Sequence, residues 1–127
     1  MHRILVGVAA AAFIVALAAP ASAAVETIKG KLIDQSCYTM DKSNTGVDHK
    51  MPKGDTKDCA IACATNGRPL ALLTADDKVY TITGDLAAEK NAKLVAHVSH
   101  TVEVTGDVTT KDGKMTIAGS TLKMVSK

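Results

Sequence analysis

The apolar and polar positions of this chain change rhythm several times, and each change marks an element. Ile4 to Ala19 is an almost unbroken apolar run behind the basic start Met1-His2-Arg3. In the next stretch Ile28, Gly30 and Leu32 alternate with Thr27, Lys29 and Lys31, the period of a strand with one wet face, ending near Asp34. From Ser36 to Asp58 the polar residues dominate and Pro52 and Gly54 act as breakers, so a long loop is expected. Asp55 or Thr56 can cap a short helix over 58–64, which Asn66-Gly67 and Pro69 stop. Leu70 to Thr74 and Lys78 to Thr83 flank Ala75-Asp76-Asp77 as a hairpin. Asp85 to Leu94 reads as a capped helix with a thin apolar face.

Two strands close the chain. Val102, Val104 and Val108 alternate around Gly106, and Lys111-Asp112-Gly113-Lys114 is a turn sequence that readily supplies positive φ. In the last strand Met115 and Ile117 sit on odd positions, whereas Leu122 and Met124 sit on even ones. A slip of one residue at Gly119-Ser120 predicts a β-bulge, with Gly119 expected at positive φ. The fold class is therefore mainly β: five strands, with a helix between the third and fourth, in the order of a small OB-like antiparallel barrel with a long Cys/His loop and one or two short helices. A small antiparallel sheet of another connectivity is the alternative.

The first 23 residues change the compartment. A basic start, an apolar run and the A-x-A ending Ala21-Ser22-Ala23 read as a secretory signal peptide over residues 1–23, leaving one domain over 24–127. The alanine-rich run, broken by Pro20, is weaker than a spanning helix requires, so the mature chain is expected to be periplasmic or secreted, with no membrane attachment after cleavage. The leader takes only Arg3 of the 15 basic residues and none of the 13 acidic ones. A nearly neutral mature chain offers no electrostatic attraction to nucleic acid. Its aromatic residues reduce to Tyr38 and Tyr80 once Phe13 is lost, so stacking platforms for nucleic acid are missing as well.

The candidate chemistry is concentrated between residues 37 and 63, a loop-helix insertion carrying Cys37, His49, Cys59 and Cys63 together with Met40 and Met51. Paired cysteines in an exported chain suggest a disulfide. Cys59 and Cys63 stand one turn apart on a helix, too far to bond without unwinding it, so a bond would join Cys37 to one of them and leave an odd thiol. Three cysteines and a histidine are equally a complete Cys3His ligand set. Thiolates select Zn(II) or Cu(I), and the methionine thioethers lean towards Cu(I). His97 and His100, three apart, would straddle opposite faces of an extended segment and are expected at a strand edge rather than on one ion.

Other chemistries lack their patterns. There is no C-x-x-C or C-x-x-C-H, no glycine-rich phosphate loop after a strand, and no nucleophile elbow. No catalytic residue is assigned.

Gly30-x-Leu32-x-Asp34-x-x-Cys37, a loop histidine, Cys59-x3-Cys63, Lys78-Val79-Tyr80-Thr81-Ile82 and Val102-x-Val104-Thr105-Gly106 together resemble a group of small exported bacterial proteins with OB-like folds. The resemblance covers most of the mature chain and implies a compact exported β domain with Cys and His in its first long loop. It implies no reaction. The sequence thus favours a non-enzymatic metal-binding module using Cys37, His49, Cys59 and Cys63, with Zn or Cu(I) as its ion. A disulfide-stapled domain that contacts a protein partner is the alternative, and a thiol redox protein comes third.

Overall fold

The computed structural model describes residues 23–47 and 59–127. Leader residues 1–22, His49, Met51 and the proposed caps Asp55 and Thr56 lie outside the described residues. Five strands, β1 (Ala24–Asp34), β2 (Leu70–Leu73), β3 (Val79–Thr83), β4 (Thr101–Lys111) and β5 (Lys114–Ser126), form one sheet that closes on itself in the order β1-β2-β3-β5-β4. All neighbours are antiparallel except β3 and β5, which run parallel. Closure removes the free edges along which exposed strands aggregate.

Alternation sets the inside. Leu32, Leu70, Leu72, Ile82, Val102, Val104 and Ile117 are buried in one core with Leu86, Leu94 and Val98 from the β3–β4 connection. A short helix α2 (Cys59–Thr65) adds Ala60 and Ala64 to the same core. These two alanines stand one turn apart, so they form a single buried stripe, and their small size lets the helix backbone lie close to the barrel. Cys59 and Cys63 form the adjacent stripe.

A second, smaller cluster lies on the other face of β1 and β2. Ile33 and Ala71 are buried there against Tyr38 of a helix α1 (Gln35–Met40), with Leu73 and Val79 packed beside them. The expected loop from Ser36 therefore begins as a helix. Asp34 is its N-cap: one carboxylate oxygen, Oδ1, accepts from the backbone N–H of Ser36 at 2.9 Å and of Cys37 at 3.2 Å. Periodicity missed α1 because six residues carry barely one and a half turns of pattern, and Tyr38 faces the outside of a strand rather than the main core.

The helix expected over 85–94 is also corrected. The segment is a 3-10 turn (Gly84–Ala87) followed by a short α3 (Ala88–Asn91) in which Glu89 and Lys90 have left-handed φ of 52° and 57°. Its apolar face was thin because only Leu86 and Leu94 need to reach the core. A second 3-10 turn (Val95–His97) leads to β4. Among the described residues, no helix is long and apolar enough to cross a membrane.

The β4–β5 hairpin turns at Asp112 and Gly113, with φ of 53° and 75°, as the Asp-Gly pair predicts. The register shift also falls where the odd-even slip puts it: Thr105 pairs with Thr121 and Gly106 with Gly119, leaving Ser120 unpaired. Positive φ is not the reason for Gly119, since the left-handed glycines are Gly67, Gly84 and Gly113. Space is the reason. A Cβ there would stand 2.7 Å from Leu86 Cδ1 and 3.0 Å from Val104 Cγ1, and one on Gly106 opposite would collide with the Ala118 carbonyl oxygen. Gly119→Val should accordingly lower stability by about 1–3 kcal/mol through overpacking, read as a lower urea midpoint at unchanged slope. A midpoint equal to wild type would mean that Leu86 yields freely.

Candidate metal centre

The three cysteines reach the site on two anchored pieces of backbone, one from α1 and two from α2. Cys37 lies on α1, whose start is capped by Asp34 and whose side is held to the sheet by Tyr38. Its carbonyl accepts from Asp41 N–H at 3.0 Å and from the buried Asn44 amide nitrogen at 3.2 Å. Gln35, at the head of α1, donates its N–H to Pro69 O at 3.2 Å and accepts from the Thr81 hydroxyl at 2.9 Å, which ties α1 to the segments flanking β2.

Cys59 and Cys63 lie on α2, which is fixed at both ends. Ala60 N–H donates to Val47 O at 3.2 Å, joining the helix start to the segment that follows α1. At the far end, Gly67 at φ 83° lets its N–H reach Ala64 O at 2.9 Å, and Arg68 N–H reaches Cys63 O at 3.0 Å, a left-handed C-terminal closure. Buried Asn91 adds two more bonds, its amide donating to Ala64 O at 3.0 Å and Arg68 O at 2.8 Å. Asn91→Ala strips both and places alanine at φ 61°, so a loss of about 1–3 kcal/mol is expected in urea denaturation. A change near zero would show that water replaces the amide without cost.

The outcome of these anchors is a cluster of three sulfurs. The Sγ atoms of Cys37, Cys59 and Cys63 all lie within 4.8 Å of one another. All three cysteines are free, and no disulfide joins Cys37 to either helix cysteine, contrary to the stapled alternative. Cys37 is 3 % exposed, so a thiolate there would be poorly solvated. Burial, followed by the charge of the neighbouring Asp34 carboxylate, pushes the Cys37 thiol up to about 12 and the Cys63 thiol up to about 11. At neutral pH both are protonated, which makes them poor nucleophiles. A bound cation would reverse that preference, because metal coordination deprotonates a thiol.

Asp34 is the residue that sequence reasoning placed only as the end of a strand. Its carboxylate is fully buried, Oδ1 is spent on the α1 cap, and Oδ2 has no hydrogen-bond partner. The available signal was an aspartate three residues before Cys37 where alternation stops, the position of an N-cap.

The remaining predicted ligands divide. His49 and Met51 lie outside the described residues. Met40, on the same helix as Cys37, is 69 % exposed. His97 and His100 are not on an extended strand edge. The turn that follows the 3-10 segment, with Ser99 at φ 68° and His100 N–H donating to His97 O at 3.0 Å, folds them together, with ring centroids 6.1 Å apart and planes at 73°. The chain matches no protein-family model, no curated protein and no solved structure.

Proposed function

We propose that this chain is an exported, OB-like, non-enzymatic module that holds a single Zn(II) ion on Cys37, Cys59 and Cys63, with His49 as the fourth ligand. The observation that carries the reading is the convergence of three sulfurs, from two independently anchored helices, to within 4.8 Å. A small inward movement makes that a trithiolate site, and a fourth ligand completes a tetrahedron. The OB assignment rests on the strand order β1-β2-β3-β5-β4 and the parallel β3–β5 pair. Export rests on the leader and its A-x-A end.

The ion follows from the surroundings. Exposed Met40 withdraws one of the soft thioethers that favoured Cu(I). The buried carboxylate of Asp34 beside the thiols favours the ion of higher charge, because more negative charge has to be balanced away from water. The raised thiols also speak against exchange chemistry, which needs a ready thiolate.

Native mass spectrometry of mature protein purified anaerobically from the exported fraction should find about one Zn per chain, and Cys63→Ser should remove most of it. A metal-free chain two hydrogens light, with Cys37 linked to Cys59 or Cys63 and no uptake of Zn(II) or Cu(I) after reduction, would replace this reading by the stapled interaction domain.

A further inference from the structure

Two imidazole nitrogens stand out beyond the cysteine cluster. Nδ1 of His97 and Nδ1 of His100 are both buried, and neither has a hydrogen-bond partner. A neutral imidazole nitrogen is either a donor or an acceptor, and leaving one buried and unpaired costs about 1–3 kcal/mol. Two such atoms on neighbouring rings ask for an explanation, and an ion is among the standard ones. Neither ring shares the mutual 4.8 Å spacing of the three sulfurs. Among the described His, Cys, Asp and Glu side chains, the three sulfurs alone gather within the shared 4.8 Å.

We propose that His97 and His100 form a second metal site, a two-imidazole pair that binds copper or zinc through the two Nδ1 atoms. The ring separation fits. A metal held at about 2.0–2.1 Å from each nitrogen lies roughly 3 Å from each ring centre, so two rings on one ion have centres about 5–6 Å apart. The observed 6.1 Å lies just beyond that range, so the rings close slightly on the ion. Histidine χ2 is a broad torsion, so turning both nitrogens onto the ion costs little. The donor type suits copper, zinc and nickel, with copper bound most tightly.

The backbone holds the pair ready. Buried Leu94 and Val98 bracket His97, whose N–H donates to Leu94 O at 2.9 Å, and His100 N–H donates to His97 O at 3.0 Å. Ser99, at φ 68°, turns the chain so that its N–H reaches Leu32 O at 2.7 Å while His100 O accepts from Leu32 N–H at 2.9 Å. His100 is thus pinned to β1 and His97 is tied to His100 and to Leu94, while the 3-10 turn that carries His97 packs against α2. The segment is preorganised for binding, because little backbone freedom remains to be lost.

The proposal stands independently of the cysteine site, and the test separates the two. In the full mature chain with Cys37, Cys59 and Cys63 all changed to Ser, one equivalent of Cu(II) should bind and show electron paramagnetic resonance couplings from two imidazole nitrogens. Adding His97→Ala to that background should leave one nitrogen or none. In the wild-type chain already carrying one equivalent of Zn(II), a second equivalent should shift the Nδ1 resonances of both histidines in long-range 15N–1H spectra, which keeps the test open if the serine variant does not fold. A folded triple-serine variant without two-nitrogen coupling, or Nδ1 resonances unmoved by the second equivalent, overturns it.

Discussion

Zn(II) affinity should fall at least about a hundredfold for each unit that pH is lowered between 8 and 6.5. Zinc takes thiolates, and each protonated thiol must release its proton when the ion binds. Cys37 and Cys63 are held up to about 12 and about 11, so both are protonated throughout that interval and each contributes about a factor of ten per unit. Competition against a chromophoric chelator of known proton affinity measures the slope directly. A slope near one would mean that at least one of the two raised thiols is not a ligand. Asp34→Asn bears on the same slope. Asparagine keeps an N-cap for α1 but removes the charge next to both sulfurs, so their alkaline titration, followed by thiolate absorbance, should move to lower pH.

The fold was legible where a repeating pattern ran long enough to average over single residues. Strands β1, β4 and β5 carry four or more alternations each, and their positions follow from the sequence to within a few residues. The bulge was legible because a one-residue slip moves every later side chain to the other face, so Met115 and Ile117 against Leu122 and Met124 recorded it. The reason for Gly119 was not, since the obstacle is Leu86, a residue more than thirty positions earlier in the chain. Short elements failed for the same cause. Helix α1 and the broken turn around Glu89 and Lys90 are decided by one cap and one tertiary hydrogen-bonding residue, Asp34 and Asn91, and neither leaves a periodic trace.

The site was half legible. Residue type named the three cysteines, and helical spacing put Cys59 and Cys63 on one stripe, but tertiary anchors of α1, the Asp34 cap and the docking of Tyr38 among them, bring Cys37 to them. The histidine pair was misjudged because the segment was treated as extended. A tight turn through Val98 and Ser99, with Ser99 at φ 68°, reverses the chain between them and brings the two rings to the same side.

Without metal, the folded chain should lose stability steeply as pH rises from about 9 towards 12, and with zinc bound it should not. The sign follows from which state holds the protons. In the unfolded chain Cys37 titrates near 9.0, in the folded chain near 12, so between those values the folded state binds the extra proton and stability falls with increasing pH. The contribution is complete below about 9 and gone above about 12. Three units correspond to roughly 4 kcal/mol for Cys37 alone, a large part of the 5–15 kcal/mol that holds a small domain together. Cys63, pushed up to about 11, acts in the same direction. Zinc removes the effect because the bound thiols have already lost their protons in the folded state. Below about 9 the unfolded chain is then the one that carries the extra protons, and above that neither state holds them, so the loss between 9 and 12 disappears. Urea midpoints of apo and zinc-loaded protein at pH 8, 9, 10 and 11 separate the two curves. Cys37→Ser provides the control, since serine does not titrate there and the apo curve should flatten, while tyrosine and lysine titrations stay as they were. Parallel apo and zinc curves would place the alkaline loss on those other groups and take Cys37 out of the site.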